Sequence, residues 1–216
     1  MKNSIMFFGI LILGLFCTSC DPPAAPCERD YLFSIPVTLS PASDTFQVGD
    51  TICLSMKFPI RLEDINTNEF FDLHDFPFNT SISHLKLDTT PALCANALVK
   101  FVEKQGRLDL IPLSVGCLAT VVNYDTREDS LFFAVDIILR SEGLYGVGCN
   151  SSFLEEYTLP IQESCKTKSV EIHYSLNPIG GDSNFDFLQY SKDVQKKNLS
   201  KPFFDSDSGF VFFVTD

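Results

Sequence analysis

Apolar and polar residues alternate with period two along most of this chain, the spacing of a strand that buries one face. Tyr31, Phe33, Ile35, Val37 and Leu39 share one side of the first such stretch, and Leu32, Ser34, Pro36 and Thr38 share the other. Pro36 has no N–H to give to a ladder, which predicts a sheet edge for this strand. Ile52, Leu54, Met56 and Phe58 form the apolar face of a second strand, and Leu131, Phe133, Val135, Ile137 and Leu139 that of the longest. Val170, Ile172, Tyr174 and Leu176 form another, with Glu171, His173 and Ser175 on its polar side. Phe210 to Val214 is apolar on both faces, so it predicts a central strand or one covered by a second element.

Turn signals separate these stretches: Pro41 to Asp44, Gly49-Asp50, Asp125 to Asp129, Ser141 to Gly143 and Asn177 to Asp182. Weaker strands are predicted near residues 69–73, 82–87, 97–103, 107–111, 118–124 and 144–147. One short helix is predicted over Asn184 to Lys192, with Asp182 or Ser183 as its cap. About ten short strands without alternating long helices predict an all-β fold, an antiparallel sandwich. The opening strand, the Pro-containing turn and Val48-Gly49-Asp50-Thr51-Ile52 together resemble an immunoglobulin-like domain of the bacterial envelope type. That resemblance covers about 30 residues and implies a fold and no activity. The chain exceeds one minimal sandwich. Residues 59–80 and 88–96 are therefore expected as insertions, unless a second small β unit begins near residue 141.

The amino terminus carries a different pattern. Lys2 precedes an apolar run from Ile5 to Phe16, a small-residue step through Thr18 and Ser19, and then Cys20. Asp21, Pro22, Pro23, Ala24, Ala25 and Pro26 follow, a stretch unsuited to a helix or strand core. The run of about 12 apolar residues falls short of a membrane span. It resembles the signal peptide and lipobox of a bacterial lipoprotein, in the degenerate form of the Bacteroidota, with Cys17 where the family prefers Leu. The resemblance implies cleavage before Cys20, lipid (palmitate included) on its new amino terminus, and anchoring in a membrane, with the outer membrane favoured. The residues themselves also admit an ordinary signal peptide cut near Ser19. The expected organisation is a signal over 1–19, a lipidated tether over 20–29 and a β domain over 30–216.

Charge narrows the partners. The net charge of −12 becomes −13 once Lys2 leaves with the signal, which argues against nucleic acid as a partner. Of the eight cysteines, Cys17 leaves and Cys20 takes the lipid, so Cys27, Cys53, Cys94, Cys117, Cys149 and Cys165 remain. An even number in an exported chain predicts disulfides. Cys53 shares the polar face of its strand with Thr51, Ser55 and Lys57, so it is expected to pin something outside the sheet, with Cys27 the candidate. Cys94–Cys117 and Cys149–Cys165 then close two shorter loops.

Candidate chemistry is sparse. His74 stands between Asp72 and Asp75, a local set that a carboxylate-dependent hydrolase would have to bring together in a cleft. Asp205-Ser206-Asp207-Ser208-Gly209 supplies two acids where calcium needs six to eight oxygens, so it reads first as a tight turn. No metal or cofactor is expected. Asp50-Thr51-Ile52, Asp88-Thr89-Thr90 and Asp129-Ser130-Leu131 resemble the short O-glycosylation sites of Bacteroidota. The chain has 21 Phe, six Tyr and no Trp. Sugar stacking would therefore fall to Tyr124, Tyr145, Tyr157 or Tyr190. The expectation is a non-enzymatic envelope lipoprotein that binds or supports. The alternative is a glycan- or protein-binding accessory module of an outer-membrane complex, recognised by an apolar or tyrosine-lined concavity.

Overall fold

A computed structural model of the chain describes residues 28–95, 98–112, 117–151, 166–179 and 181–216. The first strands are β1 (Glu28–Ser40), β2 (Thr45–Gln47), β3 (Thr51–Pro59), β4 (Arg61–Glu63) and β5 (Phe70–Asp72). Next come β6 (Thr80–Lys86), β7 (Leu93–Cys94), β8 (Val99–Gln105), β9 (Arg107–Pro112) and β10 (Leu118–Asn123). After β11 (Asp125–Arg127), β12 (Ser130–Leu139), β13 (Gly143–Ser151) and β14 (Lys166–Pro178) the chain turns helical. A 3-10 turn (Phe185–Tyr190), α1 (Val194–Lys197) and α2 (Lys201–Ser206) lead into β15 (Phe210–Thr215).

Two sheets form a sandwich. The first runs β11-β12-β3-β1-β14, with β8 also paired to β12, and the second runs β2-β15-β13-β6-β10-β9, with β7 also on β6. Between them lies one apolar core in which Phe33, Ile35, Val135 and Ile137 of the first sheet meet Val147, Phe210 and Phe212 of the second. β3 and β12 bury every second residue, as the alternation requires. Strands beyond residue 141 belong to these same two sheets: β13 pairs with β6 and β15, and β14 with β1.

The all-β sandwich stands as expected, but its sheets are mixed. β1 and β14 run parallel, as do β2 and β15, where antiparallel pairing was expected. A tight hairpin dictates antiparallel direction only for strands joined by one, and these partners come from distant parts of the chain. β1 is also not an edge strand, because it lies between β3 and β14. Its pairing with β3 begins only at Val37. Pro36 stands one residue short of that ladder. Leu32 sends both its N–H and its C=O to the segment after β4, and Pro36 has the same parity, so its missing N–H falls on a side without a ladder there.

That open flank of β1 is covered by the β4–β5 hairpin and the turn that joins its strands. Fully buried Asp64 accepts the Leu32 N–H at 2.8 Å and the Thr67 hydroxyl at 2.7 Å, and the Ile65 N–H bonds the Leu32 carbonyl. An exposed row of strand donors and acceptors is thereby closed off. A second polar tie joins the sheets: the Thr80 hydroxyl bonds the hydroxyls of Tyr124 at 2.7 Å and Tyr174 at 2.8 Å.

β15 is central in its sheet and covered as well. Phe210, Phe212 and Val214 enter the main core, while Val211 meets Leu87, Leu144, Leu188 and Phe204 in a second apolar layer under the helical segment. The short helix expected over Asn184 to Lys192 is a 3-10 turn over Phe185–Tyr190, and two further short helices follow it. Ser191 is extended, its hydroxyl donates to the Leu87 carbonyl at 3.0 Å, and the Lys192 N–H donates to the same carbonyl at 2.9 Å. Asp193 then caps α1, and its carboxylate also accepts the Ala92 N–H at 2.8 Å. The backbone N–H groups of Ala92, Gln195 and Lys196 hold its carboxyl below the usual carboxylate range.

Candidate functional site

The groups singled out for catalysis do not converge. Asp72, His74 and Asp75 are all exposed, and the Asp72 carboxylate accepts the His74 backbone N–H at 3.0 Å, closing a turn. His173 lies on the outer side of β14, 2.9 Å from Glu171. The two acids of the carboxy-terminal turn are also used separately. Asp205 takes Lys201 at 2.7 and 2.8 Å along α2, and Asp207 is the C-cap of that helix, its carboxyl raised by partial burial. Among the described residues no three His, Cys, Asp or Glu side chains gather to hold a metal.

The cysteine pairing needs correction. Cys94 and Cys117 are bonded, with Cα atoms 5.5 Å apart, whereas Cys53 and Cys149 are free thiols. Cys53 faces Ser40, at the opposite end of β1 from Glu28, so about 40 Å of strand separates it from the start of the described chain. Its thiol is held above the usual range by burial and by neighbouring Asp136, whose carboxylate binds Lys104 at 2.9 Å. Cys149 is fully buried, and burial pushes its thiol up to about 12. It sits beside Asp207 and Ser208 at the level of Tyr174, roughly 26 Å along β14 from Lys166. Cys20, Cys27, Tyr157 and Cys165 lie outside the described residues.

Tyr124 and Tyr145 are spent in the interior. Tyr124 packs on Phe58 and Phe133, and Tyr145 stacks on His84 and Phe212. Tyr190 is different. It ends the 3-10 turn with 56% of its surface exposed, and its ring leans on Phe213 at 5.8 Å and Phe187 at 6.1 Å. Ser191 and Asp193, tied to Leu87 and Ala92, fix the chain on its carboxy-terminal side.

Tyr190 and Phe213 line an open cleft of about 490 Å³ together with Lys86, Asp88 and Glu142. Lys86 donates to the Glu142 carbonyl at 2.7 Å, stands 4.0 Å from Asp88, and lies 5.6 Å above the buried Tyr145 ring. Asp88 Oδ1 is buried without a hydrogen-bond partner. Gly143 makes room for this arrangement. Its φ is +142°, and a Cβ there would stand 2.7 Å from Asp88 Oδ2 and 2.8 Å from Lys86 Cε. A comparable cleft of about 400 Å³ includes Lys201 and Asp205 in its lining, but those charges already satisfy each other.

No protein-family model and no curated protein matches this chain. Among solved structures it is similar to the human F-spondin reeler domain, at 10% identity and a TM-score of 0.34 over 69% of this chain and 89% of that one. It is also similar to a type II cohesin domain from the cellulosome of Acetivibrio cellulolyticus, at 13% identity and a TM-score of 0.27 over 63% and 91% of the two chains. The type II cohesin dyad of the ScaA scaffoldin from that organism gives 13% identity and a TM-score of 0.27, with 69% of this chain and 49% of the dyad covered.

Sequence reasoning had named Tyr190 as a stacking residue and Asp88 within a modification pattern. It missed Lys86, Glu142 and Gly143. Lys86 reads as the outward residue of a strand and Ser141 to Gly143 as a turn. Nothing local says that the two meet.

Proposed function

We propose that this protein is a non-enzymatic binding module, anchored by lipid on Cys20 at a bacterial outer-membrane surface, whose cleft at Tyr190 receives one sugar unit of a glycan. The half-exposed Tyr190 ring, which lines one open cleft together with Lys86 and Asp88, carries the reading. A pyranose has apolar C–H faces and a rim of hydroxyls. The first suits an aromatic ring with one wet side, and the second suits a carboxylate acceptor beside an ammonium donor. Lys86 uses one of its three N–H groups on Glu142, which leaves two to offer. The cleft volume lies in the usual range for small-ligand sites. Anchoring is supported by the Lys2 to Cys20 pattern and the Pro-rich residues that follow it.

Calorimetric titration of the exported domain with a panel of neutral and acidic oligosaccharides tests the cleft. One class should bind, and Tyr190→Ala and Asp88→Asn should each weaken it about tenfold, near 1.4 kcal/mol. Absence of binding across the panel, with protein crosslinks at Tyr190 in native membranes, would replace the glycan with a protein partner. Cleavage of a bound oligosaccharide would overturn the non-enzymatic assignment. Labelling with an alkyne palmitate, lost in Cys20→Ser, checks the anchor separately.

A further inference from the structure

Among the described residues, the two most exposed large apolar side chains both stand on the helical cover of the second sheet. They are Val194 of α1, 66% exposed, and Phe203 of α2, 68% exposed. The cover puts Leu188, Leu199 and Phe204 into the apolar layer with Leu87 and Val211, and neither Val194 nor Phe203 takes part in it. In α1, Val194 and Lys197 are three residues apart and share one side of the helix. Lys196 turns the other way and lines the groove beneath with Leu87 and Leu188. Residues 192–203 hold four lysines (Lys192, Lys196, Lys197 and Lys201) and one acid, Asp193, a local balance of +3 in a chain of net charge −12. Asp193 gives its carboxylate to the backbone N–H groups of Ala92, Gln195 and Lys196, and Lys201 is held by Asp205. Lys192, Lys196 and Lys197 form no ion pair among the described residues, and Lys192 and Lys197 are exposed.

We propose that this face, with Lys192, Lys197, Val194 and Phe203, docks on an anionic lipid bilayer. Exposed apolar side chains among unpaired cations match the boundary of such a bilayer, where phosphates attract the ammonium groups and acyl chains accept the ring. The long lysine stems let each charge stay at the phosphates while Val194 and Phe203 sink below them. All four cations of the stretch are Lys and none is Arg. A lysine lacks the planar fork that selects one phosphate or carboxylate geometry, which suits a fluid surface of many headgroups. The acidic remainder of the chain does not forbid this contact. Its field is screened within about 8 Å at physiological ionic strength, and a flat bilayer touches one face only.

The contact gives an anchored module a second hold on its membrane. A lipid anchor supplies proximity but no orientation, and a polybasic patch acting with it fixes which side of the domain lies down. The patch borders the cleft, since Tyr190 precedes Lys192 by two residues. A module held in this way presents its cleft to glycan at the membrane itself.

The chain contains no Trp, so Phe203→Trp installs a single fluorescent reporter in the patch. The full chain after Cys20, made without lipid, is mixed with vesicles of phosphatidylcholine, alone or with phosphatidylglycerol. The anionic vesicles should shift the emission to the blue and allow quenching by brominated lipid, and the neutral ones should do neither. Raising the salt to about 0.5 M should reverse the shift. Lys192→Gln combined with Lys197→Gln should lower partitioning about 25-fold, from about fivefold for each lysine. Phe70→Trp, which replaces an exposed ring on the β4–β5 hairpin, should show no shift. The proposal is overturned by no shift with anionic vesicles, by an equal shift with neutral ones, by a shift in Phe70→Trp, or by partitioning that the lysine substitutions leave unchanged. Failure on vesicles with crosslinks from residue 203 to a protein in native membranes would replace the bilayer with an acidic protein. The assay contains neither the Cys20 lipid nor a glycan, so its failure leaves the anchor and the cleft to their own tests.

Discussion

His84 gives the sharpest thermodynamic prediction. The side chain is 2% exposed, neither ring nitrogen has a hydrogen-bond partner, and the ring stacks on Tyr145 with centroids 5.5 Å apart. Burial lowers its pKa from 6.5 to about 4, since the charged ring cannot be solvated there. The folded protein therefore binds this proton less tightly than the unfolded chain does. The contribution to stability is fully present above pH 6.5 and is lost as the pH falls from 6.5 toward and below 4. That difference corresponds to roughly 3 kcal/mol at most, the greater part of which is gone by pH 4.

Urea denaturation of the wild type and of His84→Phe at about pH 7.5 and pH 4 measures this. Phe keeps a ring against Tyr145 and removes both unpartnered nitrogens, so the variant should match or exceed the wild type near neutral pH. Its stability loss on acidification should be smaller than that of the wild type by about 3 kcal/mol. Equal losses in the two proteins would refute the argument, because the acid sensitivity would then reside elsewhere.

Two further substitutions probe the scaffold and the cleft. Asp64→Ala leaves the Leu32 N–H and the Thr67 hydroxyl without their acceptor in a buried turn, and should cost about 3 kcal/mol by urea denaturation. Faster proteolysis within residues 60–73 should accompany it, whereas unchanged cleavage there would show that Asp64 does not hold the hairpin on β1. Gly143→Ala places a Cβ against Asp88 and Lys86 at a φ that L residues rarely adopt, so a loss of about 1–3 kcal/mol is expected in a thermal melt. An unchanged melting temperature would mean that the turn relaxes without strain.

Much of the architecture was legible because β-strands announce themselves locally. The buried faces of β1, β3 and β12 fall on the residues that the alternation picks out, since a pleated strand turns successive side chains to opposite faces whatever it pairs with. The double-sided apolar character of β15 likewise anticipated a covered central strand. Pro36 misled because a missing N–H rules out a ladder only on the side to which it would point. An interior strand can tolerate it where the ladder with its neighbour has not yet begun.

What the sequence determined by itself was therefore the strands, their inward faces, the all-β class and the pattern around Cys20. Pairing partners, strand direction and the cleft were decided by tertiary structure. The outward face of Cys53 was readable, but its place at the far end of β1 from Glu28 was not, because that depends on which strands lie side by side. Lys86, Asp88, Gly143 and Tyr190 come from β6, the loop after it, the start of β13 and the end of the 3-10 turn. Periodicity reports only neighbours one or two turns or pleats away. A site assembled from segments about a hundred residues apart becomes visible only when the second sheet and its helical cover have packed together.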